Sequence, residues 1–494
     1  MTRKALTVIV LVAGVATLAL FYLYTGLFQY MDGDVGIYHA VPYQLLHGKY
    51  HAVDYGFMQG PGYALISFPP LLFTTSLVGS RLYFSLAAIG LVLWLLSYFR
   101  SRAIRILALL WLLTQLEFTQ QLTNLGTKSA LIYLLCAISV WSLVRFLQGG
   151  SRILLWIGFT LSALVALSKY SFLSLPVYLF CGVAVFSGAK SRWRNVVTAA
   201  LAFSVTALGV MAPILIHQKV PELVINVRLL QQEFALANYT RMDGLRSLSV
   251  VALHLLINSL PVSFLSALNR QEITRFFRAG VRPDQVFLVA LVTYFGLYFV
   301  SVYVFLFPVG SLQYGTTVAG LFVFGLMAIL GEWPRQWHQR VVLLGLLCVP
   351  LYFNWRHETF ARVAHWRLNW PDFQYSVLGR NPVVSILNGL KDAGHERYLV
   401  VGLFHAELAP SALTQSEYSV TGIGIDVVKP SREIANRQRY IAHSNFDDLL
   451  VRESVVALNW PYLRDLSFYE GRILQHELRL LAADEYYRVY VKAR

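Results

Sequence analysis

The stretch Asp32–Gly62, DGDVGIYHAVPYQLLHGKYHAVDYGFMQGPG, decides how the rest of this chain is interpreted. It follows the first long apolar run and contains three carboxylates, in a half of the chain where acidic residues are scarce. Its last residues, Gly60–Gly62, form a Gly-Pro-Gly sequence that is typical of a tight, stiff turn. We therefore expect a polar loop between two apolar segments.

The composition predicts a polytopic α-helical membrane protein. The 494 residues are 56% hydrophobic and 14% charged, with a mean hydropathy of +0.55, and a soluble domain of this size needs more charged surface. Residues 1–353 contain 24 Lys and Arg against 10 Asp and Glu, whereas residues 354–494 contain 17 against 16. The basic residues are scattered at the ends of apolar runs, where they set membrane topology. They form no continuous basic stripe, so a nucleic-acid partner is not expected.

Apolar runs of sufficient length to cross a bilayer, with basic residues at alternate ends, predict about eleven spans. We place them at residues 5–28, 82–99, 104–121, 127–147, 153–168, 171–188, 195–216, 247–268, 285–307, 315–331 and 341–353. The apolar segment 63–78 is expected to be re-entrant or interfacial, because a crossing there would place Arg100, Arg102 and Arg105 outside. This threading predicts a cytoplasmic N-terminus and an external first loop over residues 29–80.

Residues 354–494 differ from the preceding transmembrane domain, residues 1–353. Short apolar runs (YLVVGLF, SVVALNW and YYRVYV) alternate with helix-like stretches around 382–393 and 467–483. This pattern predicts a small external α/β domain. A role in contacting an acceptor or acting as a lid, and a role as a passive cap, are both compatible with the sequence.

Asp32 and Asp34 lie where the first apolar run meets water. Carboxylates at a bilayer boundary indicate a functional site, although Asp34 is also suited to cap a following helix. The Asp-Gly-Asp sequence has the D-x-D form of some metal-binding transferases, so a divalent metal such as Mg²⁺ or Mn²⁺ is a weaker alternative. His47 and His51 have helical spacing, but Gly48 interrupts the helix that a zinc site would need, and we interpret them as exposed loop residues.

The pattern D-x-x-x-Y-x-x-x-x-x-x-L-L-x-G, which begins at Asp34 and includes Tyr38, resembles the first external loop of the GT-C superfamily. An acid, Asp54, and the Gly60–Gly62 turn follow it. These integral-membrane glycosyltransferases include the protein O-mannosyltransferase and lipid A aminoarabinose transferase types. The insertion Tyr50–Val53 and a glycine in place of the first proline of the family's turn are departures from the family pattern.

The resemblance implies an inverting glycosyltransferase of the cell envelope, in a bacterial inner membrane. The donor would be a polyprenyl-phosphate sugar, the acceptor a glycan, lipid or protein, and membrane lipids would surround the spans. Asp34 would be the general base that takes the acceptor proton, with Asp32 as a second candidate. Asp54, Tyr38 and Glu117 would contact the acceptor or support the loop, although solvation of a helix end explains Glu117 equally well.

Three basic residues are predicted at the external side: Arg81, Lys128 and Lys169. A phosphate-bearing donor would give such external cations a function, whereas general snorkelling to lipid phosphates is the plain alternative. Lys169 stands in the segment ALSKYSFLSLP, which resembles the family's K-x-x-x-x-x-x-P segment. We therefore predict that these residues bind the donor phosphate.

Two other classes of function share many of these features. A transporter or flippase of lipid-linked sugars is expected to carry charged residues at mid-membrane and an internal repeat. A polysaccharide polymerase or ligase is expected to have a large functional loop between late spans. Here the acids cluster at one interface and the richest loop is the first, which favours the transferase.

Overall fold

The protein is described from a computed structural model. The described residues are 3–28, 41–42, 45–46, 48, 50, 60–74, 77–99, 101–123, 129–221, 241–269, 274, 285–305, 311–330, 333–334, 336–354, 382–401, 413–415, 446–447, 450–460, 466–484 and 487–492. The chain divides into two compact units. Unit 1 comprises Met1–Gln29, Arg81–Met211 and Arg241–Leu368, and unit 2 comprises Tyr30–Ser80, Ala212–Thr240 and Asn369–Arg494.

The described chain is mostly helical. The helices are α1 (Arg3–Phe28), α2 (Gly62–Ser67), α3 (Leu77–Ser97), α4 (Arg102–Thr114), α5 (Leu116–Thr123), α6 (Ala130–Leu147), α7 (Ile153–Ser168), α8 (Ser174–Phe186), α9 (Arg192–Ile216), α10 (Arg241–Leu268), α11 (Val286–Phe305), α12 (Ser311–Leu330), α13 (Trp337–Asn354), α14 (Pro382–Asp392) and α15 (Leu466–Gln475). The strands are β1 (Arg397–Val401), β2 (Thr414–Gln415), β3 (Val455–Leu458), β4 (Leu478–Ala483) and β5 (Arg488–Lys492).

Helical structure lies over each of the predicted spans. Within the described ranges, four helical segments are long and apolar enough to cross a membrane: Thr7–Leu27, Val78–Ser97, Ala130–Leu147 and Arg192–Ile216. Shorter apolar helical segments lie at Ile153–Ser168, Tyr170–Phe186, Ala252–Leu268, Val286–Val300 and Thr317–Ile329. The helical class is as predicted, and the number of crossings stays a prediction.

The predicted span 104–121 is two helices rather than one. The backbone leaves helical geometry at Gln115, with φ −99° and ψ 69°. The amide N–H of Gln115 bonds to the carbonyl of Leu112 at 3.0 Å and closes the last turn of α4. The prediction of one continuous helix was wrong. It relied on the hydropathy of the segment, and a backbone break at one polar residue does not change that hydropathy.

The apolar segment 63–78 does not form one continuous helix across its described residues. Helix α2 has six residues, which is about 9 Å of rise and far less than a bilayer needs. A 3₁₀ turn over Pro69–Leu72 follows. Pro69 and Pro70 lack N–H donors, so the α-helical ladder ends before them. This geometry is compatible with the predicted re-entrant or interfacial segment.

The helices of unit 1 alternate in direction, and four contacts define one end of the unit, which we name end A. Arg81 at the start of α3 contacts Leu27 at the end of α1, and the hydroxyls of Thr25 and Thr123 lie 3.3 Å apart. The hydroxyls of Ser171, after α7, and Tyr298, in α11, lie 3.2 Å apart. The side-chain amide of Asn354 donates to the carbonyl of Thr114 at 3.0 Å. End A therefore joins the C-terminal parts of α1, α4, α5, α7, α11 and α13 to the N-terminal part of α3.

The opposite end of unit 1, end B, is defined by contacts of the same kind. The ring of Trp94 near the end of α3 stacks on Phe287 at the start of α11, with centroids 5.2 Å apart, and lies 6.4 Å from Trp141 of α6. Gln285, before α11, donates to the carbonyl of Ile329 in α12 at 3.0 Å. By these contacts α11 runs antiparallel to α3 and to α12, as the predicted alternation of spans requires.

Basic residues are distributed unequally between these ends. Those at end B are Arg3, Lys4, Arg102, Arg105, Arg145, Arg152, Lys190, Arg192, Arg194 and Arg340, by the bounds of the helices that they begin or end. Arg81 and Lys169 are described basic residues at end A, and Arg241 and Arg246 in the first turns of α10 are further described basic residues of unit 1. The chain leaves unit 1 after Gln29 and re-enters it at Arg81. Both points lie at end A, because α1 ends and α3 begins there. End A therefore carries the attachment points of the predicted loop 29–80.

Residues of unit 2 near the C-terminus form an α/β structure. The strands have the order β2-β1-β3-β5-β4; β1 is parallel to β2 and β3, and β5 is antiparallel to β3 and β4. Alternate residues of β1 enter different cores: Tyr398 packs with Leu387 of α14, and Leu399 packs with Ile473 of α15. The sheet is covered by a helix on each face.

The helix predicted over 467–483 is wrong in its second half. Helix α15 ends at Gln475, and Glu477 adopts a left-handed conformation with φ 63°. The segment that follows, β4, pairs with β5 instead of continuing the helix. Long-range pairing decided this outcome, because Leu, Arg and Ala are good helix formers.

A polar cluster connects α15 to β5. The carboxylate of Glu470 accepts hydrogen bonds from the guanidinium of Arg488 and from the hydroxyl of Tyr490, the latter at 2.6 Å. Burial, with the nearby Glu470 carboxylate, raises the pKa of Tyr490 to about 12. The Tyr490 phenol therefore stays a neutral donor at physiological pH.

Gly320 in α12 tests the packing of unit 1. A Cβ at Gly320 would lie 2.4 Å from Cδ2 of Phe118 in α5, whereas a Cβ at Gly90 in α3 meets nothing within 4 Å. Replacing a helical glycine by alanine gains about 1 kcal/mol in propensity, and overpacking costs about 1–3 kcal/mol. We expect Gly320→Ala to lower the melting temperature of the detergent-purified protein, and Gly90→Ala to maintain or raise it. Identical behaviour of the two variants would contradict this packing.

Candidate functional site

Most of the sequence-predicted site residues lie outside the described part of the chain. They are Asp32, Asp34, Tyr38, Asp54 and Lys128. The backbone of Glu117 is described as part of α5, but its side chain is not. Their roles stay predictions. Arg81 and Lys169 are described, together with short pieces of the loop and the helix ends at end A.

The described loop residues explain two of its glycine positions. Gly48, the glycine of L-L-x-G, has φ 73°, and its N–H bonds to the carbonyl of Leu45 at 3.0 Å. A residue with a side chain is strained in that left-handed conformation, so the motif needs glycine to end its helical turn. Gly62 begins α2, and the N–H of Tyr63 bonds to the carbonyl of Gly60 at 3.2 Å. The Gly-Pro-Gly turn therefore initiates a helix.

Tyr50 is the first residue of the insertion Tyr50–Val53. Its side chain is partly buried, and burial raises the pKa of its phenol to about 12. Tyr50 is therefore a neutral hydrogen-bonding group near neutral pH and is not suited to act as a general base there.

Arg81 caps the end of α1 from a neighbouring helix. Its side chain is 2% exposed, and Nη1 donates to the carbonyls of Leu27 at 2.7 Å and Gly26 at 3.4 Å. The last carbonyls of an α-helix lack intrahelical donors, and the last turn of α1 has no basic residue of its own. These contacts give Arg81 a partner other than the predicted donor phosphate.

The same turn of α1 is held by two further contacts. A Cβ on Gly26 would lie 1.9 Å from Oγ of Ser85, so α1 and α3 approach closely only because residue 26 is glycine. Thr123 of α5, whose hydroxyl donates to the carbonyl of Thr119 at 3.0 Å, lies 3.3 Å from the hydroxyl of Thr25. We name the set Arg81, Ser85 and Thr123 the α1 clamp.

Lys169 is placed at end A, as the predicted threading requires for an external cation. It is extended, with φ −152° and ψ 121°, and it separates α7 from the 3₁₀ turn Tyr170–Leu173. Its side chain is half-buried. The turn is fixed by Phe172, whose ring stacks on Tyr298 with centroids 4.4 Å apart. A rigid aromatic support therefore holds Lys169 at the rim of end A.

A buried network of neutral polar groups joins three helices near end A. Oδ1 of Asn258 in α10 accepts from Nε2 of Gln115 at 2.9 Å and from Nδ2 of Asn354 at 3.2 Å. The indole N–H of Trp111 donates to the backbone carbonyl of Asn258 at 3.0 Å. The same Asn354 amide also reaches the carbonyl of Thr114. The helix break at Gln115 thus supplies both an amide and a free carbonyl to the network.

This network is not predicted from the sequence. Its only local signal is an isolated amide in an apolar run, as at Asn258 in HLLINSLPV. Polar residues at membrane depth commonly bond to other helices or mark functional sites. Neutral amides orient helices and ligands, but they neither accept a proton at neutral pH nor neutralise a phosphate. We therefore assign the network an orienting role.

A metal site is not formed by the described residues. No group of three or more His, Cys, Asp or Glu that would hold a metal occurs within the described ranges. Asp32, Asp34, His47 and His51 lie outside those ranges, so the metal alternative for the D-x-D sequence stays a prediction.

Comparisons with known proteins complete this description. No family model matches the chain, and no curated protein matches it significantly. Among solved structures, the chain is similar to the crystal structure of ArnT from Cupriavidus metallidurans in the apo state. The sequence identity is 14%, the TM-score is 0.47, and the match covers 100% of this chain and 99% of that chain. A likeness this distant carries no conclusion about the reaction.

The amide network makes a testable contribution to stability. Asn258→Leu removes the acceptor of two buried donors, and an unpaired buried donor costs about 1–3 kcal/mol. We expect a lower melting temperature, followed by tryptophan fluorescence of the purified protein. Ser263→Leu is the matched control, because Ser263 lies on the same helix with an exposed side chain. Equal melting temperatures for both variants would show that the network does not stabilise the fold.

Proposed function

We propose that this protein is a membrane glycosyltransferase of GT-C type. It moves a monosaccharide from a polyprenyl-phosphate carrier to a glycan, lipid or protein acceptor at the external face of a bacterial inner membrane. The motif in the loop 29–80 suggests this reaction class. The observation that carries the proposal is the difference between the two ends of unit 1.

End A concentrates the groups that such a reaction needs. The attachment points of the acidic loop lie there, and so do Lys169 and the polar network around Asn258. End B carries most of the described basic residues of the unit, which marks it as the cytoplasmic end by the positive-inside rule. End A is then external, and the C-terminal residues that follow α13 begin on the same side.

Charge placement favours an enzyme over a transporter. In the described helices of unit 1, Asp, Glu, Lys and Arg stand near helix ends, and the polar groups deeper in the unit are neutral amides and hydroxyls. A transporter that couples to ions is expected to place charges at mid-membrane. Reactive groups at one interface suit chemistry on a lipid-linked head group.

The proposed reaction is a single inverting displacement. The acceptor hydroxyl oxygen bonds to the anomeric carbon of the sugar while the bond from that carbon to the phosphate oxygen breaks. The hydroxyl proton goes to the carboxylate of Asp34, and the polyprenyl phosphate leaves with the bonding electron pair. Lys169 stabilises the negative charge that develops on the departing phosphate. The sequence offers further candidates: Asp32 as an alternative base, Asp54, Tyr38 and Glu117 for contact with the acceptor, and Lys128 for contact with the phosphate.

The test of this proposal is sugar transfer by the purified protein from a panel of synthetic polyprenyl-phosphate monosaccharides. Loss of a general base costs about 10²–10⁴-fold in rate. We expect Asp34→Asn to lose transfer by this factor with donor binding maintained. Asp392→Asn, an exposed change in α14, serves as the control. Full activity of Asp34→Asn would remove the base assignment, and no transfer from any donor by the wild type would reject the transferase.

Orientation is tested independently by cysteine labelling. In a variant with Cys136, Cys181 and Cys348 replaced by alanine, Pro430→Cys should react with a membrane-impermeant maleimide in intact spheroplasts. Ser151→Cys, at end B between α6 and α7, should react only after permeabilisation. The reverse labelling pattern would place end A and the C-terminal residues in the cytoplasm, which contradicts the proposal.

A further inference from the structure

We propose that Arg81 is a positioning residue: it fixes the last turn of α1, and with it the start of the acidic loop, instead of binding the donor phosphate. This inference rests on the proposed function, because the residue that it positions is the predicted base, Asp34. Four observations on the described residues lead to it.

First, the guanidinium of Arg81 is engaged with backbone acceptors. Nη1 lies 2.7 Å from the carbonyl oxygen of Leu27 and 3.4 Å from that of Gly26, and the residue is 2% exposed. Both carbonyls belong to the last turn of α1, where intrahelical N–H partners are missing. Thr25 and Gly26 are buried in the protein, so protein donors rather than water supply these partners.

Second, the charge of Arg81 suits this location. The C-terminal end of a helix carries a partial negative charge, and α1 ends in Tyr24–Phe28 without a basic residue. The cation of Arg81 on the adjacent helix α3 supplies the positive charge that complements this partial negative charge. The planar guanidinium is also able to bond neighbouring carbonyls at once, which a lysine ammonium does less well.

Third, Arg81 is part of a clamp rather than an isolated contact. Ser85, one turn further along α3, packs against Gly26 so closely that a Cβ there would lie 1.9 Å from its Oγ. The hydroxyl of Thr123 in α5 lies 3.3 Å from the hydroxyl of Thr25. Two helices therefore grip one turn of α1, and Arg81 provides its charged contact.

Fourth, this turn directly precedes the predicted catalytic segment. Helix α1 ends at Phe28, and Asp32 and Asp34 follow within a few residues. The last turn of α1 is therefore the described part of the chain that directly precedes the predicted base, and a shift of this turn is expected to displace that base. A displacement of about 1 Å at a reacting group costs about 100-fold in rate.

The two roles of Arg81 predict different kinetics. For a positioning residue, Arg81→Met should lower kcat about 100-fold while KM and the equilibrium Kd for the polyprenyl-phosphate sugar stay unchanged. For a phosphate ligand, KM and Kd should rise. Arg81→Lys should restore part of kcat, because it keeps the charge and one donor at the α1 carbonyls.

A spectroscopic readout tests the same role without activity. In the cysteine-free variant, a nitroxide on Gln29→Cys reports the mobility of the chain next to α1, and a nitroxide on Gln148→Cys after α6 reports end B. We expect Arg81→Met to add a mobile component at position 29 only, and Arg81→Lys to reduce it.

Arg105→Met is the matched control. Arg105 also donates to helix-end carbonyls, from Nε to Phe99 at 2.7 Å and from Nη2 to Ser97 at 3.3 Å, but at end B. It should leave the spectrum at position 29 and kcat unchanged, whereas a general loss of stability would affect both variants alike.

Each outcome decides the inference. Lower kcat with unchanged Kd and a mobile label at position 29 supports it. A weaker Kd with an unchanged label assigns Arg81 to the donor phosphate and overturns it, as does the absence of any change. Mobilisation at both labelled positions overturns a local role. If the wild type transfers no sugar, the proposed function fails, and the label spectra alone decide whether Arg81 holds α1.

Discussion

A helix that ends in a membrane leaves backbone carbonyls without donors, and hydrocarbon offers no water to replace them. In unit 1 this constraint is met by side chains from neighbouring elements. Arg81 donates to the end of α1, Arg105 to the end of α3, and Asn354 to the end of α4. Each of these bonds also fixes one element relative to the next. The same side-chain bonds that supply donors to the helix-end carbonyls therefore also position the elements around the candidate site.

The two ends of unit 1 solve this problem with different chemistry. At end B, arginines are numerous, and Arg105 bonds to the carbonyls at the end of α3. At end A, hydroxyls, amides and an indole make most of the described contacts, and Arg81 and Lys169 are charged residues that are described there. The two ends therefore meet the requirement for donors with different side chains: arginine at end B, and hydroxyls, an amide and Arg81 at end A.

The motif residues of the loop acquire physical roles where they are described. Gly48 is needed for its left-handed conformation, and Gly60–Gly62 begins a short helix that the following prolines end. The loop motif thus describes a sequence of turns as much as a set of reactive groups. Asp32 and Asp34 remain the reactive groups predicted from the sequence, and they follow the turn of α1 that Arg81, Ser85 and Thr123 hold.

The positions of the helices in unit 1 were predictable from the sequence by itself, because the length and hydropathy of a span are local properties, as α7 and α13 illustrate. The alternation of direction was predictable from basic residues for the same reason. The break at Gln115, the strand β4 and the partners of Arg81 and Asn258 were decided only by the tertiary structure. Their contacts join residues 54, 143 and 240 positions apart, and no local pattern encodes which distant side chain satisfies a given backbone group.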